Sequence, residues 1–143
     1  MRTVVAIMAV LPLVAACSSS HPSSLSGDDL VKAEAVARQA IAGRDATITS
    51  ATVIVRRGEV GDSNTGHPCT SGRELQVKLI GSFPHDVTSG HPVPAGEPTP
   101  DFRVHAIIIT ADADSGEACL ISVQDGENGG PKPLPGGTPL HVE

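Results

Sequence analysis

The alternation of apolar and polar positions divides the chain into an apolar leader, one helical stretch and four strands. Val4 to Leu13 is a continuous apolar run preceded by a single charge, Arg2. It is the length of a signal-peptide core and too short to cross a bilayer, which takes ~20 apolar residues. Further on, Leu30, Ala33, Ala37, Ala40 and Ile41 fall at helical spacing and make one apolar stripe. Ser26-Gly27-Asp28-Asp29 supplies the start, with Ser26 as cap and acids in the first turn where the helix dipole favours them, and Gly43 supplies the stop. A stripe made mostly of alanine lets such a helix lie close against a flat partner such as a sheet.

From Thr47 the period changes to two. Thr47 to Arg57 is rich in β-branched residues, with Ala51, Val53 and Val55 on one face. Arg73 to Phe83 alternates more cleanly, placing Leu75, Val77, Leu79 and Phe83 inward and Glu74, Gln76 and Lys78 outward, the pattern of a half-buried antiparallel strand. Phe102 to Asp112 is apolar on both faces around Ala106 to Ile109, which points to the most central strand, and Glu117 to Gln124 reads as a fourth.

Asp112-Ala113-Asp114-Ser115-Gly116-Glu117 joins the last two strands and has two readings. It begins like a calcium loop, but glycine stands fifth rather than sixth and no glutamate stands twelfth. As a hairpin turn with Gly116 left-handed, it pairs Ala111 with Cys119, Ile109 with Ile121 and Ile107 with Val123, apolar beside apolar throughout. The expected fold is α+β: one N-terminal helix packed on a four-stranded antiparallel meander, broadly cystatin-like in layout, with long Pro/Gly-rich loops and tail. Phe83 to Asp101 is a Pro-rich connection without hydrophobic period, and loops of that length are commonly functional or disordered. Asp125 to Glu143 is rich in glycine and proline and reads as an extended or mobile tail.

Charge and composition remove several functions. The chain carries 10 basic and 16 acidic side chains, with no Trp, no Tyr and only Phe83 and Phe102 as aromatics. Nucleic-acid binding needs a basic stripe and stacking rings, so it is excluded. Glycan binding is disfavoured because aromatic platforms are missing.

The leader ends in Val14-Ala15-Ala16-Cys17, which resembles the lipobox of bacterial lipoproteins, and a Ser-rich run follows at once. The resemblance implies cleavage before Cys17, a diacylglycerol on its sulfur and often a further acyl group, with localisation outside the cytoplasm on the bacterial cell membrane. Residues 1–16 would be the signal peptide, 17–25 the lipidated cysteine and its tether, 26–125 one globular domain and 126–143 the tail. Removal of 1–16 leaves nine basic against 16 acidic side chains, a net charge of −7 with histidine neutral. With Cys17 committed to lipid, Cys69 and Cys119 remain, and an even remainder in an exported protein reads as a disulfide. Closing that loop would stabilise by about 4 kcal/mol in the chain-entropy model. In a meander both cysteines fall at one end of the sheet, where the loop carrying Cys69 must fold across.

Candidate chemistry is sparse. Gly61-Asp62-Ser63-Asn64-Thr65-Gly66 looks like the nucleophile block of GDS-type esterases, a resemblance that would make Ser63 the nucleophile, Asn128 an oxyanion donor and His141 the base. The pattern departs at its end, where Thr138 stands in place of the aspartate, and that fold needs a multilayer parallel sheet. The same run between two strands also reads as a turn. The histidines show no H-x-x-x-H or H-E-x-x-H spacing, so neither a metal nor a cofactor is expected, and His105 reads as a histidine at the core edge. Val104 to Val123 is similar to the terminal hairpin of PepSY-type modules, found in bacterial envelope proteins and linked to inhibition of secreted peptidases. That resemblance implies binding rather than catalysis. The expectation is a membrane-anchored, non-enzymatic binding lipoprotein with an envelope protein or peptide as partner, recognised through His85, His91, Pro92 and Pro94 of the Pro-rich loop.

Overall fold

The computed structural model of the chain describes residues 24–57, 72–88, 102–125 and 129–143. One helix, α1 (Gly27–Ile41), packs on an antiparallel sheet of β1 (Thr47–Arg57), β2 (Arg73–Pro84), β3 (Arg103–Asp112), β4 (Ala118–Val123) and β5 (Thr138–Pro139). The strand order β4-β3-β2-β1-β5 is the expected four-strand meander, widened by a short fifth strand from the tail.

Local chemistry sets the ends of α1. Ser26 Oγ accepts from the Asp29 N–H at 3.1 Å, and the Ser26 N–H donates to Asp29 Oδ2 at 2.9 Å, a reciprocal capping box. Gly43, at φ +71°, takes the left-handed conformation just past the helix end. The alanine stripe is buried as expected, and Val36 joins it. It faces Val53, Leu75, Val77, Leu79, Ile107 and Ile109, all wholly buried.

An electrostatic clasp ties the start of α1 to the sheet. Arg73 Nη2 lies 2.8 Å from Asp29 Oδ2. Lys32 Nζ pairs with Asp28 at 2.7 Å and donates to the carbonyls of Ala113 and Asp114 in the β3–β4 turn. Burial pushes the Asp29 carboxyl up, but the Ser26 N–H and hydroxyl and the Arg73 guanidinium together outweigh it and hold the group below its ordinary value of 3.8.

At the opposite end the pleat slips. The register shifts between Ile48 and Ser50 on β1, and between Ile80 and Phe83 on β2. Val104 and Ile107 consequently both face the core, and His105 turns to solvent instead of sitting at the core edge. Gly81 stands at this crossing because a Cβ there would overlap the Thr47 carbonyl oxygen. Arg103 braces the irregularity, its guanidinium donating to Ser82 Oγ at 2.8 Å, the Ser82 carbonyl at 3.1 Å and the Asp45 carbonyl at 2.6 Å.

The β3–β4 hairpin corrects one expected pair. Its turn joins the Asp112 N–H to the Glu117 carbonyl at 2.9 Å, with Asp112 Oδ1 accepting from the Asp114 N–H and Gly116 at φ +76°. That closure is one residue out of step with Ile109 beside Ile121 and Ile107 beside Val123, both of which are present. Cys119 is the extra residue that reconciles them. Ala111 therefore pairs with Ala118, and Cys119 bulges outward, exposed, off the apolar face.

Two outcomes follow. Asp29→Ala removes the reciprocal cap and the Arg73 partner and should cost about 1–2 kcal/mol at neutral pH by chemical denaturation. Because the folded-state carboxyl lies below its unfolded value, the contribution of its charge is present at neutral pH and is lost as pH falls below about 4; the gap between variant and wild type should therefore narrow there. Gly81→Ala should lose more than about 2 kcal/mol, since the obstruction is backbone and cannot rotate away, and an unchanged denaturation midpoint would show that the bulge relaxes.

Candidate functional site

The helix covers one face of the sheet, and the C-terminal segment crosses the other. Leu134 N donates to the hydroxyl of Thr52 at 3.1 Å, fixing the segment over a threonine that is itself buried. Pro135-Gly136 then turns the chain, with Gly136 at φ +68° and Gly137 N donating to the Leu134 carbonyl at 2.9 Å, the pattern of a type II turn. Thr138 and Pro139 pair with Val53 and Thr52, and Leu140 N donates to the Ala51 carbonyl at 2.9 Å. Proline is tolerated in β5 because it lies at the sheet edge. Leu140 and Val142 finish against the core, between β1 and α1. The sequence offered an extended or mobile tail; from Leu134 onward it is extended and held around the β1 edge.

This strap and the sheet border an open cleft of about 550 Å³. Its floor is the outward row of the sheet: Arg56 on β1, Gln76 and Lys78 on β2, and Ile108 on β3. Gln76 and Lys78 are successive residues on one face, ~7 Å apart along the strand, and the register sets Lys78 between Thr52 and Ile108. Lys132 and Leu134 of the strap form the opposite wall, flanked by Pro133 and Pro135, with Gln124 beyond the end of β4. Among the described residues no acidic side chain lines the cleft; Glu74, opposite Arg56 in the register, stands outside the lining.

Lys78 is 3 % exposed, although the alternation of β2 sends it away from the core. The sequence pattern predicts an outward, solvated lysine; in the folded chain it is buried, on the face that the strap crosses. The chain has three lysines, and two of them, Lys78 and Lys132, meet here. Each also interacts with another group of the protein. The donor set of guanidinium, ammonium and amide groups, with Ile108 and Leu134 beside it, is suited to holding an anion with an apolar neighbour.

The residues singled out by sequence are dispersed. Cys17, Ser63, Cys69, His91, Pro92, Pro94 and Asn128 lie outside the described residues. His85 opens a 3-10 turn, His85–Thr88, and is half-buried; Val87 in that turn is wholly buried, so the Pro-rich connection begins inside the core. His141 is exposed on the tail, its N–H donating to Glu34 Oε1 and its carbonyl accepting from Arg38, both at 3.4 Å. Among the described residues no three His, Cys, Asp or Glu side chains are grouped to hold a metal, and no helix is long and apolar enough to cross a membrane. The cleft escaped sequence reading because its cations come from three separated segments; the available signal was Lys132-Pro133-Leu134-Pro135-Gly136, a turn preceded by an apolar anchor.

Comparison with protein-family models, with curated proteins and with solved structures found no match to this chain.

Cys119 is disulfide-bonded. With Cys17 assigned to lipid by the lipobox resemblance, the partner we propose is Cys69. The exported protein, denatured without reductant, should then give no titratable thiol, and Cys69→Ser should give one, from Cys119. A wild-type chain with two reactive thiols would exclude the bridge.

Proposed function

We propose that this protein is a lipoprotein of the outer surface of a bacterial cell membrane, anchored through Cys17, whose folded domain is a non-enzymatic binding module. The observation that supports it most directly is the short interval between the lipobox and the folded domain. Leu25 already packs against the core and Ser26 caps α1, so Ser18 to Ser24 is all that separates the anchor from packed structure. Seven residues span at most ~25 Å when extended, which keeps the domain beside the membrane. Two acyl chains would hold it there, since each buried methylene contributes ~0.8 kcal/mol and one chain alone gives only reversible attachment.

The character of the cleft agrees with binding. Its polar groups are cationic or amide donors, able to fix an anion and orient it, and the sheet face beneath gives them a rigid support. An envelope protein or peptide remains the partner that the PepSY-like hairpin and the Pro-rich loop suggest, while the cleft is suited to a smaller ligand.

Membrane fractionation tests the address. Cys17→Ser should move the protein from the membrane to the soluble extracytoplasmic fraction, with the folded domain unchanged in denaturant stability. Full retention of that variant in the membrane would show that something other than the lipid holds it.

A further inference from the structure

We propose that the cleft between the C-terminal strap and the open sheet face is a binding site for a phosphate-bearing ligand, an assignment that rests on the binding-module reading above. Three cations from three elements, Arg56, Lys78 and Lys132, line one space, with the amide side chains of Gln76 and Gln124 beside them. They do so in a chain with 16 acidic side chains and 10 basic ones, so this surface runs against the overall charge. A field of that sign gathered around one open cleft, with Lys78 buried and Arg56 and Lys132 exposed, attracts anions more strongly than scattered surface cations do.

The arrangement favours phosphate over a single carboxylate. Phosphate presents several acceptor oxygens and about two negative charges, and it can be met from several directions at once. Arg56 offers a planar fork, Lys78 a charge at the floor and Lys132 a charge from the strap. Lys78 matters most physically, because at 3 % exposure its ammonium has little water to compete with an anion. Its existing interaction, and that of Lys132, would be joined or exchanged when the ligand enters. The apolar members Ile108 and Leu134 can accept a non-polar portion adjoining the phosphate. Such chemistry belongs equally to a soluble organic phosphate and to a phospholipid headgroup.

The test uses the full chain carrying Cys17→Ser, so that no acyl group confuses the result. Isothermal titration with inorganic pyrophosphate should give saturable binding that weakens with added salt. Arg56→Gln and Lys132→Gln, both at exposed positions, should each weaken it by about tenfold, the scale of one lost charged hydrogen bond, without moving the denaturation midpoint. Two further arms identify the source. Co-sedimentation with phosphatidylglycerol vesicles but not phosphatidylcholine vesicles, lost in the same variants, assigns the phosphate to a lipid headgroup; pyrophosphate binding without vesicle retention assigns it to a soluble ligand. Binding to neither probe, binding that both variants leave unchanged, or citrate bound as tightly as pyrophosphate would overturn the proposal. Membrane retention of the wild type is measured separately: its loss would count against the anchor, whereas retention with no anion binding would count against the cleft alone.

Discussion

The contact on which the rest of the domain depends is the seating of Ala33, Val36, Ala37 and Ala40 of α1 against β1, β2 and β3. Small side chains let the helix axis approach the sheet closely, and the larger β-branched and leucine side chains fill the space from the sheet side. This solution covers one face only. β3 is apolar on both, with Ile107 and Ile109 under the helix and Ala106 and Ile108 opposite, so the second face also needs shelter from water. With no second α-helix among the described residues, a proline-containing strap supplies it, stitched by Thr52, β1 and the core pocket of Leu140.

That division of labour creates the cleft. A helix laid across the open face would press an apolar stripe on it and exclude charge, whereas an extended strap touches the sheet along a line and leaves space beside it. Arg56, Gln76 and Lys78 occupy outward positions of the pleat, where polar residues normally meet solvent. The strap converts part of that solvated row into a concave surface and adds Lys132 from above. The clasp at the helix start works differently: Asp29 is buried with its Oδ2 accepting from both the Ser26 N–H and Arg73, and its role is to fix where the helix begins relative to the sheet.

Disulfide, turn and bulge at the β3–β4 end are also linked. The turn length set by Asp112 conflicts by one residue with the apolar register, and the surplus falls on Cys119. A bulged, exposed cysteine on the outer strand points its sulfur away from the core, where a bond can reach it from beyond the sheet. An in-register Cys119 would have faced Ala111 inside.

Much of this architecture is legible from residue order, because it is decided within a few residues. The cap at Ser26, the stop at Gly43, the extents of β1 to β4 and the pairing of Ile109 with Ile121 follow from periodicity and short-range turn chemistry. The lipobox resemblance belongs to the same class, since it is carried by a linear motif whatever the fold behind it. Tertiary structure decided the rest, for a physical reason that is the same each time. The slip at Gly81 depends on the Thr47 carbonyl of another strand, the bulge at Cys119 on a contest between turn and core, and the cleft beside Lys78 on a strap held by Thr52 and by the burial of Leu140, far along the chain. Alternation along β2 tells which way Lys78 points; only the packing of the folded chain decides whether water is there to meet it.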